Sequence, residues 1–264
     1  RRVKMIYKIS SKDNKNIKFA RQLKRKSVRT ENKKFIAEGR KIVLEALRFA
    51  FEDVCFVIMT DVFLDREPDA ASEIEALCEK TYVVPENVFN EISDTDTPQG
   101  VLAVINMKEE QFSPSDDTKE VLVLDGVSEP GNMGTVIRTA EALGYDGIYL
   151  MKGSADIYSP KTVRATMGSV FRMKFRRNCT IDDISNIQKA GFSIIATTPG
   201  GRTKLEEFKA PERLAIVIGN EAHGVCDEIL DLADYGVKIT MDGMAESLNA
   251  AVASGIVMHW LKQR

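Results

Sequence analysis

Apolar runs of strand length alternate with amphipathic stretches throughout the second half of this chain. The segments VLVLDGV (121–127) and LAIVIG (214–219) are apolar at nearly every position, which is typical of strands buried on both faces. Between such runs, apolar residues recur at helical spacing. Strands are predicted over 121–127, 147–151, 170–177, 192–198, 214–219 and 235–240. Helices are predicted over 131–143, 160–168, 181–190 and 225–233, and from Ser247 to Trp260.

This alternation predicts an α/β domain with an open, mostly parallel sheet that helices cover on both faces. A shorter alternation in the first half predicts a small α/β domain over 31–107. Its predicted strands span 53–59, 81–85 and 101–107, and its predicted helices span 35–50, 70–80 and 86–92. The polar segment 108–120 lacks periodicity and is interpreted as a linker, so that the second domain spans 121–264.

Composition is that of a globular protein: 44% of the 264 residues are hydrophobic and 29% are charged. No apolar run approaches the roughly 18 residues that a membrane span needs. The basic start of the chain has no apolar core of signal-peptide length, so a cytoplasmic location without membrane contact is expected. The four cysteines are far apart in sequence and form no CxxC, which disfavours structural zinc and a disulfide framework. No metal site is predicted.

Charge is distributed unevenly. Residues 1–41 contain 16 of the 37 basic residues and three of the 39 acidic residues, which gives +13 locally and −15 for the remainder. Apolar residues interrupt the charges at Ile17, Phe19, Leu23 and Val28, so a basic helix over 14–30 with a narrow apolar edge is predicted. A basic extension over 1–30 indicates a polyanionic partner such as RNA. A merely solubilising tail is the alternative.

Glycine-rich and polar loops follow several of the predicted strands. They are PGNMG (130–134), TTPGGRT (197–203), IGNEAHG (218–224) and MDGMAESLN (241–249). Ligands of parallel sheets bind beyond the carboxyl ends of the strands, so these loops are candidates for one pocket. The polar cluster Glu246, Ser247 and Asn249 lies where the last loop becomes a helix, although an ordinary helix cap explains it equally well. GxGxxG, P-loop, GxSxG and HExxH signatures are absent.

Three ordered segments carry a resemblance to a known family. LDGVSEPGNMGTVIRTAEALGYDGIYL, AIVIGNEAHGV and ITMDGMAESLNAAVASGI resemble the motifs of the SpoU (TrmH-type) branch of the SPOUT RNA methyltransferases. EGRKIVLEAL and TPQGVLAV are similar to the two ends of that family's substrate-binding domain. Ala222 and Thr240 depart from the glycine and the proline that are frequent at their positions.

The resemblance implies transfer of a methyl group from S-adenosyl-methionine to a ribose 2′-hydroxyl of RNA. It also implies a deep trefoil knot in the C-terminal domain and a homodimer formed through that domain. Ribosomal RNA is favoured because a separate α/β domain precedes the catalytic one. A tRNA methyltransferase and a non-catalytic RNA-binding or ribosome-assembly factor are the alternatives.

Motif positions imply the site residues as well. The implied catalytic residues are Asn132, Arg138, Glu221, Ser247 and Asn249. The implied cofactor-binding residues are Thr198, Gly219, Asn220, Ile239, Met241 and Leu248. Two roles stay open for Arg138, because a guanidinium group is normally protonated and is an awkward general base. It either binds the adjacent RNA phosphate and stabilises the developing alkoxide, or accepts the proton after coupling to Glu221 or that phosphate.

Overall fold

The computed structural model describes residues 5–109, 111–245 and 247–263, and Glu246 therefore lies outside the described residues. The chain divides into two compact units. The first unit comprises the chain up to Glu109 together with Asp156–Arg172, and the second comprises Glu110–Ala155 and Met173–Arg264. Among the described residues, no helix is both long and apolar enough to cross a bilayer.

The first unit is a five-stranded sheet with helices packed on it. Its strands are β1 (Met5–Lys8), β2 (Lys34–Glu38), β3 (Val54–Thr60), β4 (Lys80–Val84) and β5 (Val101–Asn106). Its helices are α1 (Lys15–Gln22), α2 (Lys26–Asn32), α3 (Arg40–Phe49), α4 (Asp61–Arg66), α5 (Pro68–Leu77), α6 (Glu86–Ile92) and α8 (Pro160–Thr166). The strand order is β1-β4-β3-β5-β2, and β5 runs antiparallel to both of its neighbours.

The basic start of the chain folds differently from the single helix predicted over 14–30. Two helices, α1 and α2, occupy this region, and Asn14 caps the first by accepting a hydrogen bond from the Asn16 backbone at 2.9 Å. Ile17 and Leu23 are buried in the core of the first unit. The apolar edge of the basic segment is therefore part of the core, while most of its lysines and arginines are exposed.

The helix predicted over 35–50 is a strand followed by a helix. Residues Lys34–Glu38 pair antiparallel with β5, and α3 begins only at Arg40. Gly39 separates the two elements and has φ +105°, a backbone conformation that residues other than glycine rarely adopt. The apolar run before this glycine has too few residues to show a period, so helix and strand could not be separated by pattern alone.

Residues 156–172 were assigned from the sequence to the second domain, and in the structure they pack on the first unit. Helix α8 lies against β2, and Phe35 of β2 contacts the ring of Tyr158 with a centroid distance of 4.6 Å. The guanidinium of Arg29 donates to Asp156 at 2.6 and 3.2 Å and also to two backbone carbonyls. Only 3% of Arg29 is exposed, so this ion pair is a buried structural bond.

The second unit contains a seven-stranded sheet. Its strands are β6 (Glu120–Leu124), β7 (Gly147–Met151), β8 (Phe175–Cys179), β9 (Ser193–Thr197), β10 (Thr203–Lys204), β11 (Leu214–Ile218) and β12 (Tyr235–Lys238). Its helices are α7 (Pro130–Ala142), α9 (Ile181–Lys189), α10 (Asp227–Leu232) and α11 (Ala250–Lys262). The order is β10-β12-β9-β11-β6-β7-β8 and all pairs are parallel.

The apolar runs of the sequence become the central strands of this sheet. Every residue of β6, β7 and β11 is buried, as strands with helices on both faces require. The predicted α/β class and its mostly parallel sheet are confirmed. The knot that the resemblance implies stays a prediction.

Two predicted boundaries in the second half are wrong. The strand predicted over 170–177 is a short 3-10 turn at Ser169–Phe171 followed by β8, which begins only at Phe175; Gly168, with φ +99°, directly precedes the turn. The last helix begins at Ala250 rather than at Ser247. Asn249 is its cap, since the Asn249 side-chain oxygen accepts hydrogen bonds from the backbone of Ala251 and Val252.

Candidate active site at the carboxyl edge of the parallel sheet

Loops from three neighbouring parts of the second unit meet beyond the carboxyl ends of its strands. Strands β6 and β11 are adjacent in the sheet. The loop after β6 leads to Asn132 in the first turn of α7, and the loop after β11 carries Glu221. The third loop follows β12 and leads to Asn249 at the start of α11, which packs against α7. The structure therefore brings together three of the five residues that the resemblance implied as catalytic.

Glu221 is the centre of this cluster. Its carboxylate accepts hydrogen bonds from the backbone and hydroxyl of Ser128 at 3.1 and 3.0 Å and from the backbone of Glu129 at 3.2 Å. It also accepts one from the side-chain amide of Asn132 at 3.0 Å. Four donors from the β6–α7 loop and the start of α7 thus hold one carboxylate.

These donors change the acidity of Glu221. Partial burial opposes ionisation, but the hydrogen bonds from Asn132 and from the backbone of Ser128 and Glu129 outweigh it and lower the pKa to about 2. The side chain is therefore an anion at neutral pH, and it is too weak a base to accept a proton from a hydroxyl group. Its chemistry is that of an anchor and an electrostatic partner.

The Asn132 amide is fixed at both ends. Its nitrogen donates to Glu221, and its oxygen accepts a hydrogen bond from the Asn249 side-chain nitrogen at 3.0 Å. Asn249 is oriented in turn, because its own oxygen caps α11. Each amide can satisfy all of these partners in one orientation only. The result is a continuous chain of hydrogen bonds from Glu221 through Asn132 to Asn249.

Backbone hydrogen bonds join the two ends of the loop after β11. The backbones of Asn220 and Gly224 exchange hydrogen bonds at 2.8 and 2.9 Å. A Cβ atom at Gly219 would lie 2.2 Å from the Gly224 carbonyl carbon, so only glycine fits there. The Asn220 side chain donates to the Gly126 carbonyl oxygen at 2.7 Å, which ties this loop to the loop after β6. Gly219 and Asn220 therefore shape the edge of the site.

The other residues implied for cofactor binding lie on the loops after β9 and β12. The Thr198 backbone donates to the carbonyl oxygen of Val237 at 3.0 Å, so the two loops begin side by side. Ile239 and Met241 are half-buried, and 37% of Leu248 is exposed. The apolar side chains of Ile239, Met241 and Leu248, on the loop after β12, are therefore only partly covered by the protein core.

Arg138 and Ser247 are not joined to the hydrogen-bonded cluster. Both are exposed, and neither side chain forms a hydrogen bond or an ion pair with the residues that the structure describes. Arg138 lies six residues after Asn132 on α7, which corresponds to about 9 Å along the helix and about 120° around it. Arg138 and Asn132 of one chain therefore occupy different faces of the same helix.

Ser128 and Glu129 were missed by sequence reasoning. Ser128 donates twice to Glu221, and Glu129 both donates to Glu221 and caps α7 by accepting from the Asn132 backbone at 2.7 Å. An acidic residue before Pro130 is a recognisable helix start, and this signal could have identified Glu129. The contacts of Ser128 carry no comparable local signal, because its partner lies 93 residues away.

Other chemistries find little support near these loops. Burial raises the pKa of Cys226 to about 11, so the thiol beside the β11 loop is protonated and is a poor nucleophile. In the part of the chain that the structure describes, no group of three or more His, Cys, Asp and Glu side chains could hold a metal ion.

The sequence matches two family models. Residues 119–259 match the SpoU rRNA methylase family, and residues 14–103 match the MRM3-like substrate binding domain. The first match covers more than half of the chain and contains the whole hydrogen-bonded cluster. The chain belongs to the SpoU rRNA methylase family.

Relatives of this SpoU family member align with it over nearly its full length. The 23S rRNA (guanosine(2553)-2′-O)-methyltransferase RlmP of Bacillus subtilis is 32% identical over 254 residues, which are 96% of this chain and 98% of the relative. An AdoMet-bound rRNA methyltransferase from Sinorhizobium meliloti has a TM-score of 0.85 at 31% identity, with 98% of each chain covered. The SpoU methyltransferase AviRb from Streptomyces viridochromogenes, solved with AdoMet, has a TM-score of 0.82 at 26% identity, with 95% of this chain and 97% of AviRb covered.

Proposed function

We propose that this SpoU family protein transfers a methyl group from S-adenosyl-methionine to a ribose 2′-hydroxyl of ribosomal RNA. The observation that carries the proposal is the hydrogen-bonded chain of Glu221, Asn132 and Asn249, which joins the loops after β6, β11 and β12. The activity of the Bacillus subtilis relative, a 23S rRNA 2′-O-methyltransferase, supports ribosomal RNA as the substrate, since the alignment extends through both units.

The loops fit the proposed cofactor. S-adenosyl-methionine supplies an electrophilic methyl group on a sulfonium centre. Ile239 and Leu248 would hold its apolar parts, because both side chains are partly uncovered by the core. Gly219 and Thr198 would present backbone groups at the neighbouring strand ends, with Asn220 and Met241 alongside. The two solved structures with AdoMet bound share this fold at TM-scores of 0.85 and 0.82.

The cluster would act by positioning the reactants. Methyl transfer needs the hydroxyl oxygen aligned with the methyl carbon, and alignment alone supplies a large part of the acceleration. Asn132 and Asn249 would fix the shape of the reaction centre, and Ser247 would contribute a hydroxyl from the same loop. Glu221 would hold Asn132 in place as a permanent anion, because its pKa is about 2.

Arg138 would provide positive charge at the reacting ribose. A guanidinium beside the target nucleotide binds the adjacent phosphate and stabilises the alkoxide that develops as the hydroxyl loses its proton. We favour this role over that of a base because Glu221 already has four donors and is not bonded to Arg138.

A homodimer through the second unit would complete this arrangement. Val252, Ile256 and Trp260 are 53%, 40% and 41% exposed and recur every four residues, which makes one apolar stripe along α11. Helix α11 packs on α7, the helix that carries the exposed Arg138. A second copy covering the stripe would bring each Arg138 close to the partner copy, which accounts for its separation from Asn132 in one chain.

The expected cytoplasmic location and the expected polyanionic substrate are each supported by one observation. All four cysteines are free thiols, which supports a reducing compartment such as the cytoplasm. The exposed basic residues of α1 and α2 support a polyanionic substrate. The deep knot implied by the family remains part of this proposal.

Labelled S-adenosyl-methionine tests the activity. The protein is incubated with ribosomal RNA or tRNA, and we expect label in ribosomal RNA that is recovered as a 2′-O-methyl nucleotide. Label in tRNA alone would favour the tRNA alternative. Absence of label from both RNAs, together with no binding of the cofactor by calorimetry, would reject the proposal.

Arg138→Ala separates an enzyme from a non-catalytic RNA-binding factor. We expect RNA binding to weaken only by the loss of one phosphate contact, whereas methyl transfer falls by at least about a hundredfold, the range for removal of one oxyanion-stabilising donor. If cells that depend on the gene grow normally with this inactive variant, RNA binding rather than catalysis is the function.

A further inference from the structure

Asp125, the first residue after β6, contacts both ends of the loop that carries Glu221. Its backbone nitrogen donates to the carbonyl oxygen of Ile218 at 2.8 Å, and its carboxylate accepts a hydrogen bond from the Cys226 backbone at 2.7 Å. Ile218 is the last residue of β11, and Cys226 directly precedes α10. One residue therefore holds the segment 219–225 at its beginning and at its end.

The loop after β7 fixes the backbone on both sides of Asp125. The Ser154 hydroxyl donates to the Leu124 carbonyl oxygen at 3.0 Å and accepts a hydrogen bond from the Gly126 backbone at 3.2 Å. The Gly126 carbonyl oxygen in turn accepts the hydrogen bond from the Asn220 side chain at 2.7 Å. The half-buried side chain of Asp125 therefore projects from a backbone whose two neighbouring residues are both held by hydrogen bonds.

The Asp125 carboxylate supplies an acceptor that α10 does not supply itself. The first backbone N–H groups of a helix have no partner within the helix. Cys226 occupies the cap position of α10, and its own side chain forms no capping hydrogen bond. Burial and the adjacent Asp125 carboxylate raise the pKa of the Cys226 thiol to about 11, so the carboxylate lies beside the thiol as well as the backbone nitrogen. A residue of the β6 loop thus fixes the place where α10 begins.

The position of the loop after β11 determines where the Glu221 carboxylate lies. The loop is stiff between its ends, because the backbones of Asn220 and Gly224 exchange hydrogen bonds and a Cβ atom at Gly219 would overlap Gly224. A shift at either end therefore moves Glu221 together with the rest of the loop. Glu221 holds the Asn132 amide at 3.0 Å, and misplacement of a reacting group by about 1 Å costs up to about a hundredfold in rate.

We propose that Asp125 is a positioning residue for methyl transfer, which acts through Glu221 by holding both ends of the loop after β11. The reaction rests on the proposed function, whereas the anchoring of the loop rests on the hydrogen bonds to Ile218 and Cys226. The role requires the accepting oxygen of Asp125 rather than its charge, because the donor is a neutral backbone nitrogen. An asparagine at this position therefore keeps the essential group.

Substitutions of Asp125 in the full chain test this role. Asp125→Ala removes the accepting oxygen, whereas Asp125→Asn keeps one. Asp146→Ala is the matched control, because the half-buried Asp146 carboxylate accepts hydrogen bonds from the backbones of Lys119 and Glu120 at 2.9 and 3.0 Å. Asp146 directly precedes β7 and so lies at the amino edge of the same sheet, opposite the site. Thermal melting fixes an assay temperature at which every variant is folded.

Steady-state methyl transfer to ribosomal RNA separates positioning from folding. We expect Asp125→Ala to lower kcat at least about tenfold, as misplacement of a reacting group does, and to leave the KM for RNA within about twofold. Asp125→Asn should restore kcat to within about threefold of wild type, and Asp146→Ala should match wild type. An unchanged kcat in Asp125→Ala, an equal fall in Asp146→Ala, or no rescue by asparagine would overturn the proposal.

Hydrogen exchange measured by mass spectrometry tests the anchoring of the loop without the reaction. We expect the peptide spanning 218–226 to exchange faster in Asp125→Ala than in wild type or Asp146→Ala, because one end of the loop is released. If the wild type transfers no methyl group, the proposed function is rejected, while faster exchange in Asp125→Ala still supports the anchor. Unchanged exchange in Asp125→Ala overturns the anchor whether or not the wild type is active.

Discussion

The side-chain amide nitrogen of Asn132 lies 3.0 Å from Glu221 Oε1, although 89 residues separate the two in the chain. Both follow adjacent parallel strands, so the sheet rather than local sequence places them together. The bond links an amide with two fixed partners to a carboxylate that stays ionised. A displacement of either loop would therefore shift the other loop through this hydrogen bond.

Replacing Asn132 by aspartate tests this contact. Asn132→Asp places a second carboxylate against Glu221, so we expect the pKa of Glu221 to rise and methyl transfer to fall at least about tenfold, since a hydrogen bond to a charged group contributes roughly 1.5–3 kcal/mol. Single-turnover methyl transfer measures the loss. Asn186→Asp, at an exposed position of α9, is the matched control. Activity within twofold of wild type would show that the bond does not position the site.

Glu221 also makes a pH-dependent contribution to stability. Its pKa in the folded protein is about 2, below the ordinary value of 4.5, so the stabilisation is fully present above about pH 4.5 and is lost as the pH falls toward 2. We expect wild type to be more stable than Glu221→Gln at neutral pH and the difference to shrink below pH 4.5. Urea unfolding at several pH values measures it. A difference that is constant with pH would contradict the lowered pKa.

The Arg29–Asp156 ion pair should contribute far more to stability than an exposed pair. Asp156→Ala leaves the buried Arg29 without its carboxylate, and we expect the free energy of unfolding to fall by about 3–5 kcal/mol. Asp13→Ala removes the exposed Lys18–Asp13 pair at 2.9 Å, and the loss should be far smaller, because solvent screens an exposed ion pair. Urea denaturation compares the two. Equal losses would show that burial does not set the strength of these pairs.

The exposed basic residues in and beside α1 and α2 should contribute to RNA binding through their charge alone. Deleting residues 1–30 would remove Ile17 and Leu23 from the core, so substitution is the sharper test. Changing the exposed Lys12, Lys15, Arg25 and Lys26 to serine should weaken RNA binding and lower the salt slope by up to about 3. Cofactor binding by calorimetry should be unchanged. An unchanged salt slope would place the RNA elsewhere.

Much of this protein follows from its sequence. Apolar runs of strand length such as 121–127 and 214–219, rich in Val, Ile and Leu and separated by amphipathic stretches, indicated buried strands, so the α/β class was predictable. The three motifs identify the family, because their loops must hold particular residues at the strand ends. Short segments were harder, and the strand Lys34–Glu38 was predicted as helix because five residues contain little periodic signal.

Tertiary structure alone decided which distant residues meet. Sequence motifs implied Asn132, Glu221 and Asn249 separately, but the sheet order places them in one hydrogen-bonded chain and leaves Arg138 on another face of α7. The same holds for Asp156, which follows β7 in the chain yet pairs with the buried Arg29 of the first unit. Local propensity acts over a few residues, whereas packing selects partners by their positions in space, and positions in space are a property of the whole fold.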